Sequence, residues 1–221
     1  MSKPRIILAE DHVLVAEGIA KLLNDEFDLI SSVSNGRDLL EQVRQHHPEV
    51  ILVDLSLPIL TGLEASRQIH KSFPSIPIII LTMHTDPLFV EDALAAGASG
   101  YLIKDSAPAE LIFAIKEVLT GKQYINSQLI KDKNQRSPIS HKTETAHASL
   151  PDLTQRQREI LQLIAEGRSN KDIASILNLA IKTVEFHKTR IMRTLHVHST
   201  AELTKIAISQ RIITLYNCTA L

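Results

Sequence analysis

Residues 49–58 read EVILVDLSLP, and this stretch decides the fold of the first half of the chain. Its apolar side chains run from Val50 to Val53 without alternation and stop at Asp54, the pattern of a strand buried on both faces of a parallel sheet. Four more β-rich runs, at residues 5–11, 28–34, 76–82 and 100–104, are separated by stretches with apolar residues at helical spacing. The pattern of residues 1–122 therefore predicts an α/β domain with a doubly wound, five-stranded parallel sheet and helices on both of its faces.

Polar side chains stand where four of the predicted strands end. The first strand ends in Glu10 and Asp11, the third in Asp54, the fourth in Thr82 and the fifth in Lys104. Ligands of such sheets bind beyond the carboxyl ends of the strands, so we expect these groups to converge at one edge. Clustered carboxylates favour a hard cation such as Mg²⁺, and a carboxylate can accept a phosphoryl group whose charge the cation and the ammonium neutralise.

The composition excludes several classes of protein. The chain has 221 residues, of which 44% are hydrophobic and 22% charged, the balance of a soluble globular protein. No apolar run approaches the roughly 18 residues of a membrane span, and residues 1–12 lack the pattern of a secretory signal. Cys218 is the only cysteine, which excludes a disulfide framework and a thiol metal cluster. We expect a cytoplasmic protein that does not contact the membrane.

The net charge of −1 hides an uneven distribution along the chain. Residues 1–122 hold 10 Lys and Arg against 17 Asp and Glu, whereas residues 151–221 hold 10 against 6. A basic rear third favours a polyanionic partner. Residues 123–149 lose hydrophobic periodicity and are rich in Lys, Gln, Ser, Thr and His, which predicts a flexible linker between two domains.

Residues 150–215 predict a small all-α domain. Thr154 is placed to cap a first helix that Gly167 ends, and Ser169 to cap a short second helix. After a tight turn, residues 182–195 form a third, longer helix. A short helix, a turn and a longer helix make a helix-turn-helix, which places its last helix in the major groove of DNA.

The third helix has one apolar face and one face suited to DNA. Val184, His187, Ile191 and Leu195 fall on the side that packs on the core. On the outward face, Phe186 can contact a thymine methyl group, Glu185 can accept from a cytosine amino group, and the cations can meet phosphates. The predicted DNA-binding residues are Lys182, Thr183, Glu185, Phe186, Lys188, Thr189, Arg190 and Arg193.

The polar residues at the strand ends make the front domain resemble a response-regulator receiver domain. The matching motifs are the acidic pair Glu10-Asp11, LVDLSLP at residues 52–58 with Gly62 after it, ILT at 80–82 and GYLIKD at 100–105. The resemblance covers residues 1–122 and implies the flavodoxin-like strand order 2-1-3-4-5. It also implies phosphorylation of Asp54 by a sensor histidine kinase.

The resemblance implies a role for each matching residue. Glu10, Asp11, Asp54 and the backbone carbonyl of Ser56 would hold Mg²⁺. Lys104 would pair with a phosphoryl oxygen, and Thr82 would move to hydrogen-bond the phosphoryl group. Tyr101 would turn inward into the space that Thr82 leaves, as the second switch residue.

The rear domain resembles the LuxR-type helix-turn-helix. The matching strings are LTQRQREILQLIAEG, SNKDIASIL, KTVEFHKTRIMRTL and STAEL, which span most of residues 150–210. Together the two domains make the chain similar to NarL/FixJ-type response regulators. That similarity implies a homodimer when phosphorylated, with dimerisation through a last helix near residues 201–208, and regulation of transcription at promoter DNA with RNA polymerase. Glu185 and Phe186 depart from the residues common in the family, so a base preference does not carry over.

Three other functions remain open at this point. An enzyme that turns over an aspartyl-phosphate is disfavoured, because Ser56 stands where such hydrolases carry a second carboxylate. A receiver with a protein-binding tail would show no salt-dependent DNA affinity. A zinc protein built on the ten histidines is disfavoured because their spacing offers no ligand set. We therefore expect a regulator and not an enzyme.

Overall fold

The computed structural model describes residues 2–126, 129, 153–210, 212 and 213. Internal contacts divide the chain into two units, residues 1–139 and 140–221. Most of the predicted linker and Cys218 lie outside the described residues. Among the described residues, no helix is both long and apolar enough to cross a membrane.

The first unit is a parallel sheet with helices on both faces, as predicted. Its strands lie in the order β2-β1-β3-β4-β5-β6, and every pair is parallel. The elements in chain order are β1 (Arg5–Ala9), α1 (Val13–Leu23), β2 (Asp28–Val33), α2 (Gly36–His46), β3 (Val50–Asp54), α3 (Gly62–Ser72), β4 (Ile78–Thr82), α4 (Pro87–Ala95), β5 (Gly100–Ile103), α5 (Pro108–Leu119) and β6 (Tyr124–Ile125).

Two apolar cores lie on the two faces of this sheet because successive strand residues point to opposite sides. Ile51 and Val53 of β3 pack on the side of α2, α3 and α4, whereas Val50 and Leu52 pack on the side of α1 and α5. All five residues of β3 are buried, which is why its sequence is apolar without alternation. The central strands therefore hold their polar ends at one fixed edge.

The sixth strand differs from the predicted five-stranded sheet. Tyr124 and Ile125 pair with Gly100 and Tyr101 of β5, and the backbone N–H of Asn126 donates to the Tyr101 carbonyl at 3.1 Å. The predicted linker begins at Gln123, so its first residues belong to the sheet instead. Pairing satisfies backbone groups along the edge of β5, and a two-residue strand is too short to show a period in sequence.

A buried polar network anchors β6. The Asn126 side chain is 1% exposed, and its amide donates to Ser106 Oγ at 2.7 Å and to Glu110 Oε1 at 2.9 Å. The Tyr124 hydroxyl donates to the same Glu110 oxygen at 2.8 Å. These bonds attach the chain beyond α5 to Ser106 in the loop before α5 and to Glu110 in the first turn of α5.

The second unit is helical, with α6 (Gln155–Ala165), α7 (Asn170–Leu177), α8 (Ile181–Thr194) and α9 (Thr200–Ser209). Thr154 and Ser169 form capping boxes at the starts of α6 and α7. Gly167 follows α6 with φ 81°, the left-handed conformation that ends a helix without strain. The core includes Ile160, Leu161, Val184, Ile191 and Leu203. The α/β domain followed by a small helix-turn-helix domain confirms the predicted fold class.

Candidate functional site

Three strand ends at the same edge of the sheet place the predicted phosphoacceptor group. Asp54 is the last residue of β3, Glu10 directly follows β1, and Lys104 directly follows β5. Backbone bonds fix the flanking positions: Glu10 N–H donates to Val33 at 2.9 Å, and Lys104 N–H donates to the carbonyl of Thr82 at 2.8 Å. The parallel register therefore brings together side chains that lie more than 90 residues apart in the sequence.

One ammonium group bridges two buried carboxylates at this edge. Lys104 Nζ lies 2.6 Å from Glu10 Oε2 and 3.2 Å from Asp54 Oδ1. Both acidic residues are 3% exposed. Burial raises the pKa of Asp54 to about 6, with the Glu10 charge adding to the rise, while Lys104 and the backbone N–H of Ser56 oppose it. The edge thus holds a carboxylate that costs free energy to ionise and a cation placed to compensate it.

The loop after β3 approaches Asp54 closely. A Cβ on Gly62 would lie 2.0 Å from the Asp54 carbonyl oxygen, so only glycine fits at the start of α3. Within the same loop, Ile59 has φ 68°, a conformation that a β-branched side chain rarely adopts. Close approach and strain both indicate a loop shaped for the site.

A candidate cation position lies beside Asp54. One ligand atom each from Glu10, Asp11, His12 and Asp54 lie within 4.8 Å of one another. Asp11 Oδ1 is itself buried, and His12 Nδ1 lies 3.0 Å from it. Three carboxylates this close together fit the oxygen ligands that Mg²⁺ prefers. Sequence reasoning missed His12, although its position next to the acidic pair was a signal.

The two predicted switch residues meet through a third residue. Thr82 is buried and its Oγ1 accepts from the backbone N–H of His84 at 3.0 Å. Tyr101 is fully buried, and its hydroxyl donates to the His84 carbonyl at 2.9 Å. The His84 ring stacks on Phe89 of α4, with 4.4 Å between centroids. The Tyr101 side chain is therefore already in the inward position that was expected only after Thr82 moves. The sequence pattern offered no signal for the role of His84 between them.

Most of the predicted DNA-binding residues lie on the open face of α8. Lys182, Glu185, Phe186, Thr189, Arg190 and Arg193 are exposed, whereas Thr183 and Lys188 are half-buried. Phe186 is 60% exposed, and Ile181, which is not among the predicted DNA-binding residues, is also exposed at 46%. Large apolar side chains on a cationic helix face are expected where a partner covers them.

His187 lies on the other side of α8, as its spacing predicts. Its Nδ1 is buried without a hydrogen bond from the described residues. Burial lowers the pKa of this imidazole, and the charges of Arg156 and Arg190 lower it further. A neutral, packed histidine fits this position better than a group that contacts bases.

Two family models match the chain in succession. The model described as "Response regulator receiver domain" matches residues 6–116. The model described as "Bacterial regulatory proteins, luxR family" matches residues 151–207. The first therefore covers the edge that carries Asp54 and Lys104, and the second covers α8.

Curated and solved relatives cover nearly the whole chain. The oxygen regulatory protein NreC of Staphylococcus epidermidis is 36% identical over 215 residues, covering 95% of this chain and 99% of the relative. A Salmonella typhimurium RcsB structure is 27% identical with TM-score 0.59, and covers 95% of this chain and 99% of its own. A structure of two RcsB dimers bound to two parallel DNAs is 26% identical with TM-score 0.58, with the same two coverages.

Proposed function

The chain belongs to the response regulators that join a receiver domain to a LuxR-type DNA-binding domain, and from that membership we propose that phosphorylation of Asp54 controls its binding to DNA. The family comprises transcription regulators and not classical enzymes. A sensor histidine kinase supplies the phosphoryl group, and the phosphorylated protein dimerises on promoter DNA. The proposed domain limits are residues 1–126 for the receiver, which then includes β6, the rest of the predicted linker up to residue 149, and residues 150–215 for the DNA-binding domain.

The observation that carries the proposal is the pairing of a buried Asp54 with Lys104 at the end of β3. With a pKa of about 6, Asp54 is mostly ionised at neutral pH and can act as a nucleophile. A carboxylate oxygen attacks phosphorus in the kinase's phosphohistidine, the P–N bond breaks, and the imidazole leaves. Lys104 Nζ, 3.2 Å from the attacking carboxylate, is placed to pair with an oxygen of the transferred group.

We propose that Glu10, Asp11, Asp54 and the Ser56 carbonyl hold Mg²⁺. The convergence of carboxylate oxygens from Glu10, Asp11 and Asp54 within 4.8 Å of one another supports this assignment. When bound, the ion supplies charge neutralisation at the phosphoryl oxygens. The ion pair between Lys104 and Glu10 holds the Glu10 carboxylate in place at this edge.

We propose that Thr82 and Tyr101 form the switch. The Thr82 hydroxyl accepts a bond from His84 and still has its own proton to donate. A new phosphoryl group offers strong acceptor oxygens, so Thr82 moves toward it and releases the His84 backbone. Tyr101 bonds to that backbone, so the change passes to α4 and β5.

On the DNA-binding domain, we propose that α8 enters the major groove. Its Lys and Arg side chains contact phosphates and fix the position of the helix, while Glu185, Phe186, Thr183 and Thr189 face base edges. One short helix contacts few base pairs, so a homodimer binds two half-sites. The RcsB dimers bound to DNA support this arrangement. We further propose a cytoplasmic location and a contact with RNA polymerase.

The test of the proposal is a mobility-shift assay on genomic fragments, with and without acetyl phosphate and Mg²⁺. We expect acetyl phosphate to tighten binding by the wild type but not by Asp54→Asn. Asp105→Asn, which removes an exposed carboxylate near the site, is the matched control and should respond like the wild type. Intact-mass spectrometry should show one added phosphoryl group that Asp54→Asn loses. Equal binding in all conditions would refute the phosphorylation switch.

A second arm of the assay tests α8. Phe186→Ala combined with Arg193→Ala should abolish the shift, and Arg193→Ala alone should make binding less dependent on salt. Lys21→Ala removes an exposed cation from α1 and should change neither result. Unchanged binding by the double variant would refute the assignment of this face to DNA.

A further inference from the structure

Asn126 bonds to two segments that lead to the phosphorylation site. Its backbone N–H donates at 3.1 Å to the carbonyl of Tyr101, whose hydroxyl bonds to the His84 carbonyl. Its side-chain amide donates at 2.7 Å to Ser106 Oγ, two residues after Lys104. One buried residue at the end of β6 therefore bonds both to the proposed switch tyrosine and to the loop that carries the lysine of the site.

A residue beyond β6 is attached to the same part of the receiver. Leu129 is 5% exposed, and its backbone N–H donates to the Asn126 carbonyl at 3.1 Å. Its side chain belongs to the apolar core that also contains Tyr101 and Phe89 of α4, and Ile125 packs against that core. Ile125, Asn126 and Leu129, here called the latch, therefore lie on the side of the sheet that carries the switch.

Few bonds hold the latch to the sheet. The strand β6 is two residues long, and the Asn126 amide shares one Glu110 oxygen with the Tyr124 hydroxyl. A buried amide that loses an acceptor is destabilised, so a displacement of Ser106 or Glu110 weakens the attachment. Segments of low local stability open far more readily than the whole fold. A small shift at the phosphorylation site is therefore sufficient to open the latch.

We propose that the latch fixes the start of the linker in the unphosphorylated protein and that phosphorylation of Asp54 releases it. This inference rests on the proposed function, because it gives the proposed switch its output. When Lys104 pairs with the phosphoryl group, Ser106 moves with it and the Asn126 amide loses an acceptor. When Thr82 releases the His84 backbone, the bond partner of the Tyr101 hydroxyl moves as well.

Release of the latch lengthens the connection to the DNA-binding domain. With the latch closed, Leu129 is held in the receiver core. With the latch open, the last fixed element is α5, which ends at Leu119, ten residues earlier. Ten residues of extended chain add up to about 33 Å of reach. The longer connection leaves the DNA-binding domain free to take the position that a dimer on two half-sites requires.

The test is hydrogen exchange of the full-length protein, with and without acetyl phosphate and Mg²⁺. The backbone N–H groups of Tyr124, Asn126 and Leu129 are hydrogen-bonded in the structure, so their exchange reports the closed latch. We expect acetyl phosphate to speed this exchange by about tenfold or more in the wild type and to leave it unchanged in Asp54→Asn. This measurement on the wild type needs no latch variant.

A latch variant tests whether release controls DNA binding. Asn126→Asp keeps the shape of the side chain but places a carboxylate where the amide lies 2.9 Å from Glu110 Oε1, so repulsion opens the latch. Without acetyl phosphate, we expect fast exchange and a DNA affinity within about threefold of the phosphorylated wild type. Gln123→Glu makes the same chemical change at an exposed position next to β6 and should alter neither result.

The outcomes separate this inference from the proposed function. Unchanged exchange in a wild type whose Asp54 carries the phosphoryl group would overturn the latch and leave the phosphorylation switch standing. An Asn126→Asp protein with fast exchange that still needs acetyl phosphate to bind DNA would mean that the network only stabilises β6, and would also overturn it. A wild type that takes no phosphoryl group on Asp54 would refute both proposals together.

Discussion

Replacing Asp54 with asparagine should stabilise the protein at neutral and higher pH. Burial raises the pKa of Asp54 from 3.8 to about 6, so the folded state binds a proton more tightly than the unfolded state. The unfolding free energy therefore falls as pH rises from 3.8 to 6, and the full penalty is present above pH 6. An asparagine side chain has nearly the same shape as the aspartate and no charge, and Lys104 keeps its partner Glu10 at 2.6 Å.

The size of the Asp54 pKa shift sets the expected gain in unfolding free energy for Asp54→Asn. A rise of roughly two pKa units corresponds to about 3 kcal/mol of unfolding free energy at pH 8. At pH 4, where folded Asp54 is mostly protonated, the same arithmetic leaves about 0.5 kcal/mol. The gain from Asp54→Asn should therefore grow with pH across this window.

Urea unfolding followed by far-UV circular dichroism measures the difference, since the chain contains no tryptophan. The wild type, Asp54→Asn and the exposed control Asp105→Asn are compared at pH 4 and pH 8 with a chelator present. At a Mg²⁺ concentration 100 times its dissociation constant, the unfolding free energy of the wild type should rise by about 2.7 kcal/mol. The difference in stability between the wild type and Asp54→Asn should then nearly disappear. A variant no more stable than the wild type at pH 8, or equally stabilised at both pH values, would refute the reasoning.

Three other substitutions test further contacts by the same unfolding assay. Lys104→Met leaves two buried carboxylates without a cation and should cost about 3 kcal/mol at pH 8 in chelator, and an unchanged stability would contradict the bridging role. Asn126→Ala removes the amide that anchors β6 and should cost about 1–3 kcal/mol, whereas a neutral effect would mean that β6 is not held by this network. The pKa of His187 is lowered by burial and by nearby arginines, so wild-type stability should fall as pH drops below about 6.5. His187→Gln should flatten that slope, and equal slopes would count against a packed neutral imidazole.

The strand ends could be predicted because two regularities act together. Apolar runs such as Ile78–Leu81 indicate strands buried on both faces, and parallel strands carry their carboxyl ends to one edge. Neither regularity depends on the details of side-chain packing. This is why Asp54 and Lys104, 50 positions apart in the sequence, could be expected together and lie 3.2 Å apart in the structure.

The sequence could not show features that depend on the backbone geometry of only one or two residues. Tyr124–Ile125 is too short to carry a period, and its place in the sheet depends on which backbone groups of β5 remain unpaired. Ile59 adopts φ 68° although its side chain disfavours that region, so propensity predicts the opposite.

His12 shows the same limit at the site itself. A residue before a helix is expected to cap it, yet the ring turns toward two carboxylates because their negative potential attracts its N–H and outweighs the cap. Glu10 and Asp11 directly precede His12 in the sequence, so these partners were visible there, but Lys104, which holds Glu10 Oε2 at 2.6 Å, follows β5 and reaches this edge only when the chain folds.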